Sequence, residues 1–80
     1  MFERKIVPIH YKTLVKIFEL EGFIVKRTKG DHIIMTKAGI KRPLVIKSSP
    51  KQVPVTNIRT NMTTAGMTRE RFFELLETAK

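Results

Sequence analysis

The sequence of 80 residues predicts an α+β fold in the order α-β-β-β-α-α, with a three-stranded antiparallel sheet packed on helices. Three observations lead to this prediction: apolar residues at helical spacing near both ends, alternating runs in the middle, and glycines between the runs. The length predicts a single domain spanning residues 1–80, with a small core. We therefore expect function on an exposed face rather than in a deep pocket.

The first helix is predicted from four residues spaced i, i+3, i+4 and i+7: Tyr11, Leu14, Val15 and Phe18. We expect His10 or the residues just before it to cap its start. Gly22 is placed to end it in the C′ position, with Phe23 folding back onto the last turn.

Three strands are predicted in the middle of the chain: Phe23 to Thr28, His32 to Thr36, and Pro43 to Lys47. Between them lie Lys29-Gly30-Asp31 and Lys37-Ala38-Gly39, which are turn sequences because glycine accepts a positive φ. A strand alternates its side chains between two faces, so one face can be buried under the helices. The buried set is predicted to be Phe23, Val25, Ile33, Met35, Leu44 and Ile46. The outward set is predicted to be Ile24, Lys26, Thr28, His32, Ile34, Thr36, Val45 and Lys47.

The C-terminal part of the chain predicts a loop over Ser48 to Gln52 and then two helices. Pro54 precedes the second helix, which we expect Thr56 or Asn57 to cap and Gly66 to end. Thr68 is placed to cap the third helix. The apolar positions of these two helices are Ile58, Met62, Ala65, Phe72, Leu75, Leu76 and Ala79.

The positive charge is concentrated in one segment. Residues 26–51 carry eight basic side chains and one acidic side chain, so they account for +7 of the net charge of +9. A basic stripe is typical of a surface that binds a polyanion, usually nucleic acid. The alternative is a charged surface that only keeps the protein soluble. The predicted RNA-binding side chains are Lys26, Arg27, Lys37, Lys41, Arg42 and Lys47.

The turn Lys29-Gly30-Asp31 places His32 at the start of a strand on this basic surface. An RNA substrate supplies its own nucleophile, the 2′-hydroxyl, so a ribonuclease needs groups that transfer protons and stabilise charge on the phosphate. Histidine transfers protons near neutral pH, and cations or N–H groups stabilise the phosphate. Candidates for stabilisation are Lys29, the Gly30 N–H, Lys26 and Lys47. From local spacing alone, His32 is more often a structural residue, and one histidine predicts a slow enzyme.

Several classes of protein are disfavoured by composition. The chain has no cysteine and two histidines far apart in sequence, so a zinc site is not expected. No apolar run approaches the ~18 residues of a membrane span, and the N-terminal segment lacks the apolar region of a signal peptide. We therefore expect a cytoplasmic protein that needs no cofactor and does not bind membranes. His10 is expected to be structural.

Four stretches resemble the HicA (YcfA-like) toxins of toxin–antitoxin systems: Leu14–Phe23, Lys29–Ile34, Ile58–Gly66 and Met67–Leu76. The shared features are a helix that ends Glu-Gly-Phe, a G-x-H turn, and a helix link of the form Ala-Gly-x-Thr. The resemblance covers roughly residues 8–78. It implies a fold like a double-stranded-RNA-binding domain and a metal-independent mRNA interferase. It also implies His32 as the catalytic residue, Gly30 as the turn glycine, and neutralisation by a HicB-type antitoxin.

The chain departs from the family pattern at two places. Many members have serine where Asp31 stands, and often a second histidine where this chain has Ile33. Many also end the third strand with a histidine, where Ile46-Lys47-Ser48 stands here. Two other functions therefore stay open. One is a nucleic-acid-binding domain without catalysis, and the other is a protein-interaction module that uses the exposed apolar residues Ile24, Ile34 and Val45.

Overall fold

The computed structural model describes residues 4–80, so the first three residues of the predicted domain 1–80 lie outside the described part. The α+β fold is confirmed, with three helices and a three-stranded antiparallel sheet of order β2-β3-β4. This arrangement is compatible with a double-stranded-RNA-binding-domain-like fold. The elements are β1 (Ile9–His10), α1 (Tyr11–Leu20), β2 (Ile24–Lys29), β3 (His32–Thr36), β4 (Leu44–Lys47), β5 (Gln52–Val53), α2 (Val55–Ala65) and α3 (Arg69–Ala79).

Both ends of α1 form as the sequence predicts. The His10 Nδ1 accepts a hydrogen bond from the Lys12 N–H at 3.1 Å, so His10 is the N-cap. At the other end Gly22 has φ +99°, and the Phe23 N–H donates to the Phe18 carbonyl at 2.9 Å. The Phe18 and Phe23 rings meet edge to face at 5.8 Å, which completes a Schellman motif with its apolar contact.

The predicted phase of β3 and β4 is confirmed. Ile33, Met35, Leu44 and Ile46 are buried, whereas their neighbours along each strand are partly or fully exposed. Both α1 and α2 contact β4, and α1 also contacts α3, so the helices cover one face of the sheet. The largest fully buried side chains of this core are Phe18, Phe72, Leu14, Ile17, Met35, Leu44, Ile46, Ile58 and Val53.

The predicted phase of β2 is wrong beyond Val25, because the strand contains a bulge. Val25 itself was predicted to be buried but is 41% exposed, because β2 is an outer strand of the sheet. Val25 pairs with Met35 but Arg27 pairs with Ile34, so Lys26 is an extra residue without a partner on β3. An extra residue moves every later side chain to the opposite face. Arg27 therefore shares the outer face with Ile34, and Thr28 pairs with Ile33 on the helix side. Lys26 and Thr28 do not form the outward pair that simple alternation predicts.

Two predictions around α2 are also corrected. The predicted loop Ser48 to Gln52 ends in a short strand, β5, which pairs with β1 through Ile9↔Val53 and His10↔Gln52. Strands of two residues are too short to show a period in sequence. The helix begins at Val55 with Pro54 as N-cap, so Thr56 and Asn57 already lie inside α2 and cap nothing. The amide of Asn57 bonds to β4 instead.

The third helix is capped as predicted, since the Arg71 N–H donates to the Thr68 hydroxyl at 3.1 Å. Arg71 also joins this helix to the end of α1. Its Nη2 lies 3.0 Å from Oε1 of Glu21, and its Nε donates to the same oxygen. This hydrogen bond, with the attraction of the Glu21 charge, raises the pKa of Arg71 above its ordinary value.

Candidate functional site

The turn before His32 is a two-residue hairpin loop. Lys29 pairs with His32, so Gly30 and Asp31 form the loop between β2 and β3. Gly30 has φ +58°, whereas Asp31 has a negative φ, as in a type II′ turn with glycine at its first central position. The turn therefore fixes the start of β3 and the place of the imidazole.

A second set of bonds ties this turn to the end of β4. The Asp31 carbonyl accepts hydrogen bonds from both the Ser48 N–H, at 2.8 Å, and the Ser48 hydroxyl, at 3.1 Å. Lys47 is the cross-strand partner of His32. The ends of all three strands of the sheet are thus held together here by backbone bonds. We call this region, comprising Lys29 to His32 with Lys47 and Ser48, the turn end of the sheet.

One histidine lies between two lysines on the outer face of the turn end. His32 pairs with Lys29 on one side and with Lys47 on the other, and cross-strand partners project from the same face of a sheet. Its side chain is 46% exposed. Neither lysine forms an ion pair with another residue of the described range 4–80. The row Lys29–His32–Lys47 therefore presents an imidazole flanked by ammonium groups to solvent.

Asp31 adds one carboxylate to this row. Its Oδ1 lies 3.3 Å from Nδ1 of His32, which is ion-pair distance for a protonated imidazole. This contact holds one side of the ring against the turn. The other ring nitrogen, Nε2, makes no hydrogen bond to any residue in 4–80.

Two asparagines of α2 fix β4 from its outer edge. The Val45 N–H donates to Oδ1 of Asn61 at 3.0 Å, and the Val45 carbonyl accepts from Nδ2 of Asn61 at 2.9 Å and of Asn57 at 3.1 Å. The Lys47 N–H donates to Oδ1 of Asn57 at 3.3 Å. Asn61 is 3% exposed, so its amide replaces water for an edge that would otherwise be unpaired.

Sequence reasoning missed both asparagines and Ser48. Asn57 and Asn61 are four residues apart, and Asn61 stands beside Ile58 and Met62 in the apolar stripe of α2. A polar residue within a buried stripe indicates that its side chain has a specific hydrogen-bond partner. This feature of the sequence could have identified Asn61. The partner itself lies on a distant strand, which spacing along one helix does not identify.

Three of the predicted RNA-binding residues lie at the other end of the sheet. Met35 pairs with Leu44, so the connection that contains Lys37, Lys41 and Arg42 joins the strands far from the turn end. The two ends are about 13 Å apart, because four residues of β3 rise ~3.3 Å each. We call residues 37–43 the loop end.

Lys37 already has a structural role at the loop end. Its Nζ donates to the Glu21 carbonyl at 2.9 Å, at the C-terminus of α1, and lies 5.6 Å from the centre of the Phe23 ring. A cation at this position stabilises the helix terminus. Lys41 and Arg42 are exposed and make no side-chain hydrogen bond or ion pair within residues 4–80.

The outer face of the sheet carries an apolar patch, and a cleft adjoins the turn end at Lys47. Ile24 is 66% exposed and Val45 is 37% exposed, with Ile34 partly exposed between β2 and β4. These three residues are the predicted apolar patch. On the other side of Lys47, a shallow cleft of about 240 Å³ is lined by Lys47, Pro54, Thr56, Asn57 and Thr60.

The remaining site predictions concern metals and membranes. His10 is occupied as the N-cap of α1, and its ring stacks on Tyr11 at 4.8 Å. Within residues 4–80, no group of three histidine, cysteine, aspartate or glutamate side chains is arranged to hold a metal ion. Over the same residues, each helix is too short or too polar to cross a bilayer.

A comparison with protein families gives a match over most of the folded chain. The model of the HicA toxin of bacterial toxin–antitoxin systems matches residues 11–67, which run from the start of α1 to the residue after Gly66. No curated protein matches the chain. The matched range contains the turn end, the loop end and both asparagines of α2. Because the match covers well over half of the 80 residues, the chain belongs to the HicA toxin family.

Proposed function

We propose that this chain is a single HicA-like domain that cleaves mRNA as a metal-independent endoribonuclease, with His32 as the catalytic residue. The observation that supports this most is the row Lys29–His32–Lys47 on the outer face of the sheet. It combines a proton-transfer group with cations on both sides, which phosphodiester cleavage requires. Membership of a toxin family agrees with an activity that acts on a cellular polymer.

The reaction begins with the 2′-hydroxyl of the RNA. His32 accepts the 2′-hydroxyl proton at Nε2 while the 2′-oxygen forms a bond to phosphorus. The bond from phosphorus to the 5′-oxygen then breaks, and that oxygen takes up a proton. The products are a 2′,3′-cyclic phosphate and a free 5′-hydroxyl. Proton transfer by one positioned histidine typically contributes about 10²–10⁴-fold to the rate.

Charge on the phosphate is stabilised by Lys29 and Lys47, with the Gly30 N–H as a further donor at the turn. Asp31 holds the Nδ1 side of the ring and leaves Nε2 for the substrate. Because this row contains one histidine, the proton that the leaving 5′-oxygen takes up passes through a lysine, a water molecule or the substrate. We therefore expect slow turnover.

RNA binds along the outer face from the turn end. Arg27 pairs with Ile34 in the next row, so its charge lies beside the reactive phosphate. The cleft next to Lys47 is open to a neighbouring nucleotide. Lys26 at the bulge, and Lys41 and Arg42 at the loop end, contact phosphates farther along the strand. Lys37 contributes least, because its ammonium group is engaged at α1.

The partner of this toxin is a HicB-type antitoxin that covers the outer face in the cytoplasm, where mRNA is found. The apolar patch of Ile24, Ile34 and Val45, on the same face as the cationic row, supports a protein partner on this face. Co-expression with the product of the neighbouring open reading frame tests this. Growth should recover, and if it does not, that product is not the antitoxin.

Incubation of the purified protein with single-stranded mRNA in the presence of a metal chelator tests the activity. We expect slow cleavage that leaves 2′,3′-cyclic phosphate ends. A matched oligonucleotide with one 2′-deoxy sugar should resist at that position, because the nucleophile is missing. Intact RNA, or equal cleavage at the deoxy position, would contradict the proposed reaction.

A second candidate is a nucleic-acid-binding domain without catalysis. Asp31 favours it, because a carboxylate 3.3 Å from the imidazole repels RNA phosphate from the row. This candidate predicts binding with intact RNA and a log–log salt slope of about −0.7 per phosphate neutralised on single strands. The cleavage assay above separates the two.

A further inference from the structure

The two outer strands of the sheet differ in whether their free edges are occupied. Strand β4 has its outer edge bonded to Asn57 and Asn61 at Val45 and Lys47. Among residues 4–80, strand β2 pairs with β3 alone, and all six of its residues are exposed. An outer strand with unpaired N–H and C=O groups is a template on which another strand can add.

The positive charge of β2 limits the kinds of molecule that can add to its edge. Lys26, Arg27 and Lys29 lie within four consecutive positions of the strand, and none of them forms an ion pair with a residue in 4–80. A second copy of the chain paired through β2 would bring these cations against each other, which is unfavourable. Nucleic acid carries the right charge but has no peptide N–H and C=O groups with which to continue a ladder. An extended peptide with acidic side chains satisfies both requirements.

The first half of β2 adds a second requirement for the partner segment, which must cover apolar side chains. Ile24 is 66% exposed and Val25 is 41% exposed, and they project from opposite faces because they are consecutive residues of a strand. A partner strand would therefore cover apolar surface near Ile24 and meet positive charge from Lys26 to Lys29. The complementary segment is apolar in one half and acidic in the other.

We propose that β2 is a docking edge for an extended acidic–apolar segment of a partner protein, which adds to the sheet as a fourth strand next to β2. The bulge at Lys26 does not prevent this, because pairing can occur on either side of it. It does make the site selective, since an ideal flat strand no longer fits along its whole length. The proposal goes beyond RNA cleavage and does not depend on it.

The probe is a blocked ten-residue peptide with alternating valine and threonine in one half and alternating glutamate and threonine in the other. Binding is measured by titration, and amide hydrogen exchange is followed for residues 24–29. We expect slower exchange at only those N–H groups of β2 that face its outer edge, with the alternation shifted by one residue at the bulge of Lys26. Binding without this alternating protection, or no binding, would overturn the proposal.

Two N-methylated versions of the peptide separate strand addition from simple charge attraction. Methylation of alternate amides removes the donors on one edge of the peptide only. The peptide methylated on one set should lose binding, and the peptide methylated on the other set should keep it. Equal loss or equal retention would contradict strand addition. Alternating protection of β2 by a poly-uridine oligomer would assign the edge to nucleic acid and also overturn the proposal.

Protein variants test the charge requirement. Lys26→Glu and Arg27→Glu should each weaken binding of the acidic peptide about two- to fivefold, the range for exposed charge pairs. Lys16→Glu is the matched control, because it makes the same charge change on the exposed side of α1. Equal weakening by all three variants would mean that net charge alone drives binding, and would contradict docking at β2.

Discussion

The turn end and the loop end of the sheet both carry basic side chains, but only the turn end is held by a network of hydrogen bonds. At the turn end, the Asp31 carbonyl accepts two bonds from Ser48, and Asn57 bonds to the Lys47 backbone. At the loop end, the connection from residue 37 to 43 has one backbone hydrogen bond, from the Ile40 N–H to the Lys37 carbonyl. Lys41 and Arg42 project from this connection into solvent.

This difference distinguishes a surface that is only positively charged from one whose charged groups are also held in position. Charge alone attracts a polyanion wherever it lies on the surface. Catalysis also requires that the groups be held in place before the substrate arrives. The loop end has the first property and the turn end has both, so basic composition alone does not locate the site that we propose for cleavage.

The largest expected change in stability comes from Asn61→Ala. The Val45 N–H loses its partner, and the buried amide that closes the β4 edge is gone. We expect the free energy of unfolding to fall by about 2–3 kcal/mol, the cost of leaving such groups unpaired. Denaturant unfolding measures it. Thr60→Ala on the exposed side of α2 is the control and should change stability little, and a loss below about 0.5 kcal/mol for Asn61→Ala would contradict the role of this amide.

Removal of cations from each end compares their roles in cleavage. The double variant Lys29→Ala with Lys47→Ala should lower the single-turnover cleavage rate about tenfold, which is about 1.4 kcal/mol in activation free energy. Lys41→Ala with Arg42→Ala removes the same charge at the loop end and should change mainly RNA binding and its salt dependence. Equal rate losses for bound RNA in the two variants would mean that the row next to His32 has no special role.

Two glycines allow a matched test of backbone conformation at each end. Gly30 and Gly39 both have positive φ, +58° and +87°, and an added Cβ would meet no atom within 4 Å at either position. Gly30→Ala and Gly39→Ala should therefore each cost about 1 kcal/mol of stability from the backbone alone. We expect only Gly30→Ala to reduce cleavage of bound RNA. A similar loss of cleavage in the Gly39→Ala variant would contradict the assignment of the turn end.

The smallest effect is expected for Lys37→Ala. The substitution removes the bond from Nζ to the Glu21 carbonyl and a cation near the Phe23 ring. Stability should fall by about 0.3–1 kcal/mol, as for other cations at helix C-termini. Thermal unfolding measures this, with Lys41→Ala as a control that should leave the midpoint unchanged. A larger loss of RNA binding for Lys37→Ala than for Lys41→Ala would contradict the structural role of Lys37.

The sequence predicted the features that depend on local chemistry. The caps at His10, Gly22, Gly66 and Thr68 follow from residues next to each helix end, and the phase of β3 and β4 follows from alternation. It also placed His32 directly after a hairpin turn. These predictions succeed because neighbouring residues decide them.

The sequence did not predict features that depend on distant partners. The bulge at Lys26 changes which side chains of β2 share a face with His32, and alternation contains no sign of it. The bonds from Asn57 and Asn61 to β4, and from Ser48 to Asp31, join residues that are 10 to 17 positions apart. The bond from Lys37 to the Glu21 carbonyl likewise joins residues far apart in sequence, so the neighbours of Lys37 do not reveal it.

The most direct test of the turn end as the reactive site is the single-turnover cleavage of saturating RNA by the wild type and by His32→Ala. The imidazole is half exposed, and among the described residues its side chain has a polar contact with Asp31 alone, so its removal should leave the fold and RNA affinity intact. We predict a rate loss of about 10²-fold or more at unchanged affinity. Cleavage at the wild-type rate by His32→Ala would contradict the central claim.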